Sequence, residues 1–177
     1  MPNLITLFRI LLVPFFFTTL LYYQPEKDFL RLWAFGLGLA ASLTDAVDGL
    51  VARLRKETTQ LGRFLDPLAD KLLLLSGFLG ILLAKGYPLA PPLWIVVIIV
   101  FRDLLIVGGL ILFYISGREI EVAPNFLGKM TTALQMVTLL SILLLLPMSP
   151  WLWNLTAALT IVSGLTYVIR EMKTHRR

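Results

Sequence analysis

The sequence contains DAVDGLVAR at residues 45–53 and GRFLDPLAD at residues 62–70. These segments hold four aspartates in largely apolar surroundings, where an unpaired carboxylate is costly. On a helix, Asp45 and Asp48 lie three residues apart and project from one face. Asp66 and Asp70, four residues apart, do the same. Carboxylates on two facing helices suit two hard cations, Mg²⁺ or Mn²⁺, and such a pair clamps a phosphate or pyrophosphate group.

Small residues separate the aspartates. Gly49, Ala52 and Gly62 leave room for a nucleotide against the backbone. Arg53 supplies a guanidinium for phosphate oxygens. The alternative for a single membrane aspartate is a buried hydrogen bond between helices, but four acids at this spacing would be too costly for that role.

The composition indicates an integral membrane protein. The chain has 177 residues, 58% of them hydrophobic and 15% charged, and a mean hydropathy of +0.83. This length suits one domain over residues 1–177, and several segments approach the ~20 apolar residues that a membrane span needs. The absence of cysteine excludes disulfides and thiolate ligands, and the only histidine, His175, lies in a basic tail where a ligand role is not expected.

The apolar segments predict an all-α bundle of six transmembrane helices with an N-terminal interfacial helix. The interfacial helix is expected over 2–9, where Asn3, Thr6 and Arg9 form a polar stripe that serves either as a surface anchor or as a ligand contact. No small-residue cleavage site follows, so a removable signal peptide is not expected. The first span is expected over 10–23. The second runs from 29 to the Asp45–Asp48 pair, and the third runs from the Asp66–Asp70 pair to 85–86. The last three are expected over 88–116, 130–146 and 151–169.

Both acid pairs are expected at one membrane depth. Asp45 lies ~24 Å along a helix from Phe29, and Asp70 lies ~22 Å from the end of the third span, at a rise of 1.5 Å per residue. Most lysines and arginines fall in the loops on the acid side and in the tail. This distribution predicts that both termini and the acid site are cytoplasmic, and that the net charge of +5 reflects topology and anionic lipid rather than nucleic-acid binding.

The aspartate pattern resembles the signature of the CDP-alcohol phosphotransferase family. The sequence reads Asp45-x-x-Asp48-Gly49-x-x-Ala52-Arg53, then eight residues, then Gly62-x-x-x-Asp66-x-x-x-Asp70, with every fixed position matched. The Pro-Asn-x-x-Thr-x-x-Arg opening and the six spans are similar to the family as well.

The resemblance implies a metal-dependent phosphatidyltransferase of phospholipid synthesis. An acceptor hydroxyl would attack the β-phosphorus of CDP-diacylglycerol and release CMP. Asp45, Asp48 and Asp66 would be metal ligands, and Asp70 would be both a ligand and the general base. The positions expected to line the CDP site are Gly49, Ala52, Arg53 and Gly62, with Asn3 and Thr6 as further candidates.

The acceptor is expected to meet Arg102, Arg118 and Lys129 near the cytoplasmic face. Arg102 could instead pair with Asp103 or another helix, and Lys129 could be a snorkelling end residue. Phosphatidylglycerophosphate synthases resemble the chain through NFLGK at 125–129, but they carry an arginine where this chain has Leu110. Cardiolipin synthases of the CDP-alcohol type resemble it through Arg-Asp at 102–103 and TALQ at 132–135. Phosphatidylglycerol is therefore slightly favoured over glycerol 3-phosphate as acceptor.

Two other classes remain to be weighed. An ion channel or transporter would use intramembrane acids, but it would leave the ordered glycine, alanine and arginine residues without a purpose. A structural membrane protein would pair its acids with Arg53, Arg63 and Lys71. A homodimer is expected on general grounds.

Overall fold

The computed structural model describes residues 2–55, 60–115 and 126–174, and the side chains of 6–44, 65, 68–109, 111 and 126–169. Over these residues the chain forms six α-helices, one 3₁₀ turn at Pro25–Lys27 and no strand. The all-α prediction is confirmed. The helices are α1 Pro2–Leu21, α2 Phe29–Arg55, α3 Gln60–Leu83, α4 Leu93–Ile115, α5 Phe126–Leu143 and α6 Ser149–Thr174.

The first helix is continuous over 20 residues. The predicted boundary between an interfacial helix over 2–9 and a span from residue 10 is therefore wrong. The physical reason is that no glycine or proline separates Pro2 from Pro14, so nothing in this stretch ends a helix. Pro14 itself is accommodated within α1.

The remaining helix ends differ from the predicted spans by a few residues. α3 ends at Leu83, before the expected end at 85–86, and Gly86 then turns the chain with a φ of +74°. α4 begins after Pro91 and Pro92 rather than at residue 88, since these prolines restrict the preceding backbone. α5 begins four residues earlier than expected and α6 continues to Thr174.

The chain forms two compact units. The first comprises residues 1–90 and 139–146, and the second comprises residues 91–138 and 147–177. Helix α5 contributes its first part to the second unit and its last turn to the first. The assignment of one domain to the whole chain stays a prediction.

In the first unit, α1 packs against both α2 and α3. The contacts between α1 and α3 keep a nearly constant sequence offset: Arg9 meets Asp70, Phe16 lies beside Gly77 and Leu20 beside Gly80. The two helices therefore run parallel and begin at the same end of the unit. Glycine is needed for this approach because a Cβ on Gly80 would lie 2.8 Å from Leu20 Cδ1 and 2.9 Å from Leu20 Cβ.

Side chains cap the last turn of α5 within the first unit. Arg31 Nη1 donates to the Leu143 carbonyl at 2.7 Å, and Tyr87 Oη donates to the Ile142 carbonyl at 3.3 Å. Such terminal carbonyls have no partner within their own helix. Arg31 also binds both oxygens of Asp28, at 2.7 and 2.6 Å, and this hydrogen bonding lowers the pKa of Asp28.

Two helices are long and apolar enough to cross a membrane, Phe126–Leu143 and Ser149–Ile169. Shorter apolar stretches cover Thr6–Leu21 and Phe29–Thr44. These stretches belong to the part of the chain that the structure describes. They agree with the prediction of a membrane protein, and the number of six spans stays a prediction.

We expect Gly80→Ala to lower the melting temperature in detergent, because the new methyl group collides with the base of the buried Leu20 side chain. Overpacking of this kind costs about 1–3 kcal/mol, which exceeds the gain of about 1 kcal/mol from replacing a helical glycine by alanine. Gly36→Ala is the matched control, since a Cβ there meets nothing within 4 Å. Equal melting temperatures for the two variants would contradict the close packing of α1 on α3.

Candidate active site

The backbone is helical at all four aspartates of the motif. Asp45 and Asp48 lie in the second half of α2, and Asp66 and Asp70 lie in the first half of α3. The helical context assumed for the acid spacing is therefore present. Only Asp70 has a described side chain. The predicted site residues whose side chains lie outside the described part are Asn3, Asp45, Asp48, Gly49, Ala52, Arg53, Gly62, Asp66 and Arg118.

Asp70 is held by Arg9 of α1. Arg9 Nη1 donates to Asp70 Oδ1 at 2.7 Å, and the exposed fractions of the two side chains are 2% and 28%. A buried guanidinium is costly without an anion nearby, so this pair fixes the position of both groups. The accessible part of the Asp70 carboxylate can still meet a substrate or a metal.

Two members of the polar stripe of α1, Thr6 and Arg9, face the protein interior. Thr6 and Arg9 are 2% and 1% exposed. A surface anchor would leave these side chains in the headgroup region, so their burial favours the alternative of a contact within the protein or with a ligand. Lys71, which follows Asp70, is also buried, so a second positive charge lies beside the motif.

Arg102 lies in the interior of the second unit. Its Nη1 donates to Asp103 Oδ1 at 2.9 Å and its Nη2 donates to Ser163 Oγ of α6 at 2.8 Å. The side chains of Arg102 and Asp103 are 5% and 7% exposed. The Asp103 carboxylate offsets the charge of Arg102. This is the alternative that the sequence left open, in which Arg102 pairs with Asp103.

The structure describes less of the other residues that were predicted to bind the acceptor. Lys129 is exposed in the first turn of α5. Arg118 belongs to the segment 116–125, outside the described residues, and the Leu110 side chain is outside them too. A basic pocket built from Arg102, Arg118 and Lys129 therefore stays a prediction.

The pairing of Arg9 with Asp70 was not predicted from the sequence. A signal was present, since alternating spans make the first and third helices parallel. Arg9 and Asp70 then fall at similar distances from the starts of their helices. Ser163 was missed for a different reason, because a serine in an apolar helix has no distinctive pattern.

The donor set fits hard divalent cations. Carboxylate oxygens are the ligands that Mg²⁺ and Mn²⁺ prefer, and the one described member, Asp70, is placed by its ion pair with Arg9. Among the described side chains no three acidic or histidine groups come together. The side chains of Asp45, Asp48 and Asp66 lie outside the described part, so this absence does not extend to the motif as a whole.

Comparison with known proteins adds independent evidence. Residues 1–165 match the sequence profile of CDP-alcohol phosphatidyltransferase. A probable phosphatidylglycerophosphate synthase of Mycobacterium tuberculosis is 32% identical over 98% of this chain and 82% of its own. The CDP-diacylglycerol–glycerol-3-phosphate 3-phosphatidyltransferase of Bacillus subtilis is 35% identical over 81% of this chain and 76% of its own.

A eukaryotic relative is similar as well. A probable cardiolipin synthase (CMP-forming) of Drosophila melanogaster is 30% identical over 99% of this chain and 58% of its own length. These relatives differ in their named reactions, so they identify the family and leave the acceptor open. The profile match covers the first unit, the second unit as far as residue 165 and the entire aspartate motif. The chain belongs to the CDP-alcohol phosphatidyltransferase family.

Proposed function

We propose that this protein transfers the phosphatidyl group of CDP-diacylglycerol to a hydroxyl of a glycerol-type acceptor and releases CMP. The observation that carries this proposal is the Asp70 carboxylate, fixed at 2.7 Å by the buried Arg9 within a complete aspartate motif. The family membership and the printed names of the relatives support the same reaction class.

Asp70 acts as the general base. It takes the proton of the acceptor hydroxyl while the hydroxyl oxygen forms its bond to the β-phosphorus of the donor. The bond from that phosphorus to the bridging oxygen of CMP breaks, and CMP leaves with the electron pair. Arg9 holds the Asp70 carboxylate in one orientation, which positions the base before the acceptor arrives.

The other motif residues bind the donor. Asp45, Asp48, Asp66 and Asp70 would hold two divalent cations, Mg²⁺ or Mn²⁺. When bound, the metals neutralise charge that develops on the pyrophosphate as CMP forms. The CDP group lies along the small residues of the motif, with further contacts from α1. The residues proposed for this role are Gly49, Ala52, Arg53, Gly62, Asn3 and Thr6.

The proposed setting is the membrane. Six helices span the bilayer, both termini and the site face the cytoplasm, and two copies of the chain form a homodimer. The apolar helices and the many exposed large hydrophobic side chains support the membrane location. The parallel arrangement of α1 and α3 supports an N-terminus at the same end of the first unit as Asp70.

The favoured acceptor is phosphatidylglycerol. Its phosphodiester carries one negative charge, whereas the monoester of glycerol 3-phosphate carries nearly two. Asp103 offsets the positive charge of Arg102 and so reduces the positive charge available in this part of the second unit. This supports the less charged acceptor. Glycerol 3-phosphate is the second candidate, since several similar proteins are named for it.

We expect Asp70→Asn to reduce CMP release by at least about a hundredfold, since an amide cannot accept the proton. The assay uses purified protein, CDP-diacylglycerol, the acceptor and Mg²⁺, and removal of the metal with a chelator should abolish release by the wild type. Glu26→Gln is the matched control because this exposed carboxylate lies in the turn before α2. Full activity in Asp70→Asn would exclude Asp70 as the base.

We expect Arg9→Met to lower the melting temperature in the absence of metal, because Asp70 loses the cation that holds it. Added Mg²⁺ should raise the melting temperature of this variant by more than it raises that of the wild type, since Arg9 no longer repels a cation at Asp70. Lys27→Met, which removes an exposed cation, is the control. An equal Mg²⁺ effect in all three proteins would argue against metal binding at Asp70.

We expect cardiolipin as the lipid product when phosphatidylglycerol and glycerol 3-phosphate are offered separately with CDP-diacylglycerol and Mg²⁺. Mass spectrometry of the extracted lipids identifies the product, and CMP is measured in parallel. Phosphatidylglycerophosphate as the main product would overturn the acceptor assignment and leave the reaction class intact.

A further inference from the structure

Helix α1 is loosened near its middle. Pro14 has no N–H group, so it cannot donate the helical hydrogen bond to the Ile10 carbonyl. One turn later the Thr18 hydroxyl donates to the Pro14 carbonyl, a contact that competes with the helical backbone bond to the same oxygen. These two features divide α1 into an N-terminal half, residues 2–13, and a C-terminal half, residues 15–21.

The C-terminal half is fixed on α3 by close apolar packing. Phe16 and Leu20 are 0% exposed. A Cβ at Gly77 would lie 3.1 Å from the Phe16 ring, and one at Gly80 would lie 2.8 Å from Leu20 Cδ1. No charged group takes part in these contacts, so a charged ligand has nothing here for which to compete.

The N-terminal half is held on α3 by polar groups instead. Of its described side chains, which belong to residues 6–13, the two that are buried are Thr6 and Arg9. An ion pair at 2.7 Å joins Arg9 to Asp70. A charged ligand can replace an ionic contact of this kind, because it offers both groups new partners. Three apolar side chains of this half are more than half exposed: Leu7, Phe8 and Leu11.

The burial of Thr6 requires movement of this half. Thr6 is one of the residues proposed to contact the CDP group, yet it is 2% exposed. A donor therefore cannot reach Thr6 while the N-terminal half lies on α3. The Asp70 side chain is 28% exposed, so the ion pair that closes this half lies where a charged ligand can approach it.

We propose that the N-terminal half of α1 is a lid, which lifts from α3 about Pro14 to admit the CDP-lipid donor and closes when Arg9 pairs with Asp70. The inference rests on the proposed function for the identity of the donor. The C-terminal half keeps its packing throughout. The same ion pair latches the lid and orients the Asp70 carboxylate, so the base is set only when the lid is closed.

The test measures how fast N-ethylmaleimide labels a single introduced cysteine, since the chain has no cysteine of its own. Thr6→Cys reports opening of the lid, and Leu7→Cys gives the rate for an exposed position in the same turn. We expect Thr6→Cys to react at least about tenfold more slowly than Leu7→Cys, because a buried thiol reacts only during opening. Arg9→Met should raise the rate at Thr6→Cys to near that of Leu7→Cys, since the latch is removed.

Two controls separate opening of the lid from unfolding. Ala34→Cys, at a position of α2 that is 0% exposed, should stay unreactive in Arg9→Met and react only after unfolding in SDS. Pro14→Ala supplies the missing backbone donor and joins the lid to the fixed half, so it should slow labelling of Thr6→Cys and raise the melting temperature. An unchanged rate at Thr6→Cys in Arg9→Met, or faster labelling in Pro14→Ala, would overturn the lid. Equal acceleration at Ala34→Cys would assign the effect to unfolding and overturn it too.

A kinetic arm tests the role of the lid in donor entry. In Pro14→Ala we expect kcat/KM for CDP-diacylglycerol to fall about three- to tenfold with little change in kcat, because entry slows while the closed site is intact. Leu11→Ala, which changes an exposed side chain of the lid, is the matched control and should keep both constants. Unchanged kcat/KM in Pro14→Ala would contradict the proposed entry route. Absence of CMP release by the wild type with every acceptor would overturn the proposed function, whereas the labelling rates would still decide whether the lid opens.

Discussion

The ion pair between the buried Arg9 and the part-buried Asp70 constrains how α1 packs on α3 in the first unit. It joins two helices across 61 residues of sequence. The pair forms at 2.7 Å only because α1 and α3 run parallel at close range, and that range depends on Gly77 and Gly80 meeting Phe16 and Leu20. Packing of apolar side chains along the interface thus sets the position of a charged group at its end.

The sequence predicted the local features of the acid motif, whereas the long-range pairing of Asp70 with Arg9 was missed. Aspartates three and four residues apart share a face once they lie on a helix, and the apolar segments beside them predicted the helices α2 and α3 that carry them. The position of Arg9 depends on the relative register of two helices, which no local pattern encodes. The continuous α1 was missed for a related reason: a change in polarity at Arg9 resembles a boundary, but the backbone has no residue there that ends a helix.

The role of Arg102 in the second unit could not be predicted from its charge alone. Arg102 looked like a phosphate ligand because it is a cation within an apolar helix, yet its neighbour Asp103 and Ser163 of α6 occupy both of its terminal nitrogens. Adjacent residues on a helix usually point in different directions, so the sequence alone could not decide between a pair and two separate groups. The structure assigns the pair, and the local charge becomes close to zero.

Charged and uncharged polar groups contribute differently to the selectivity for the acceptor. Charged aspartates bind any phosphate donor that brings suitable cations, and they distinguish poorly between alcohols that differ by one hydroxyl. An uncharged buried hydrogen-bonding group distinguishes such alcohols well, because the compound that lacks the hydroxyl leaves that group desolvated and unpaired. In the proposed reaction the acid motif on α2 and α3 therefore sets the class of reaction, and discrimination among acceptors requires uncharged buried groups in addition.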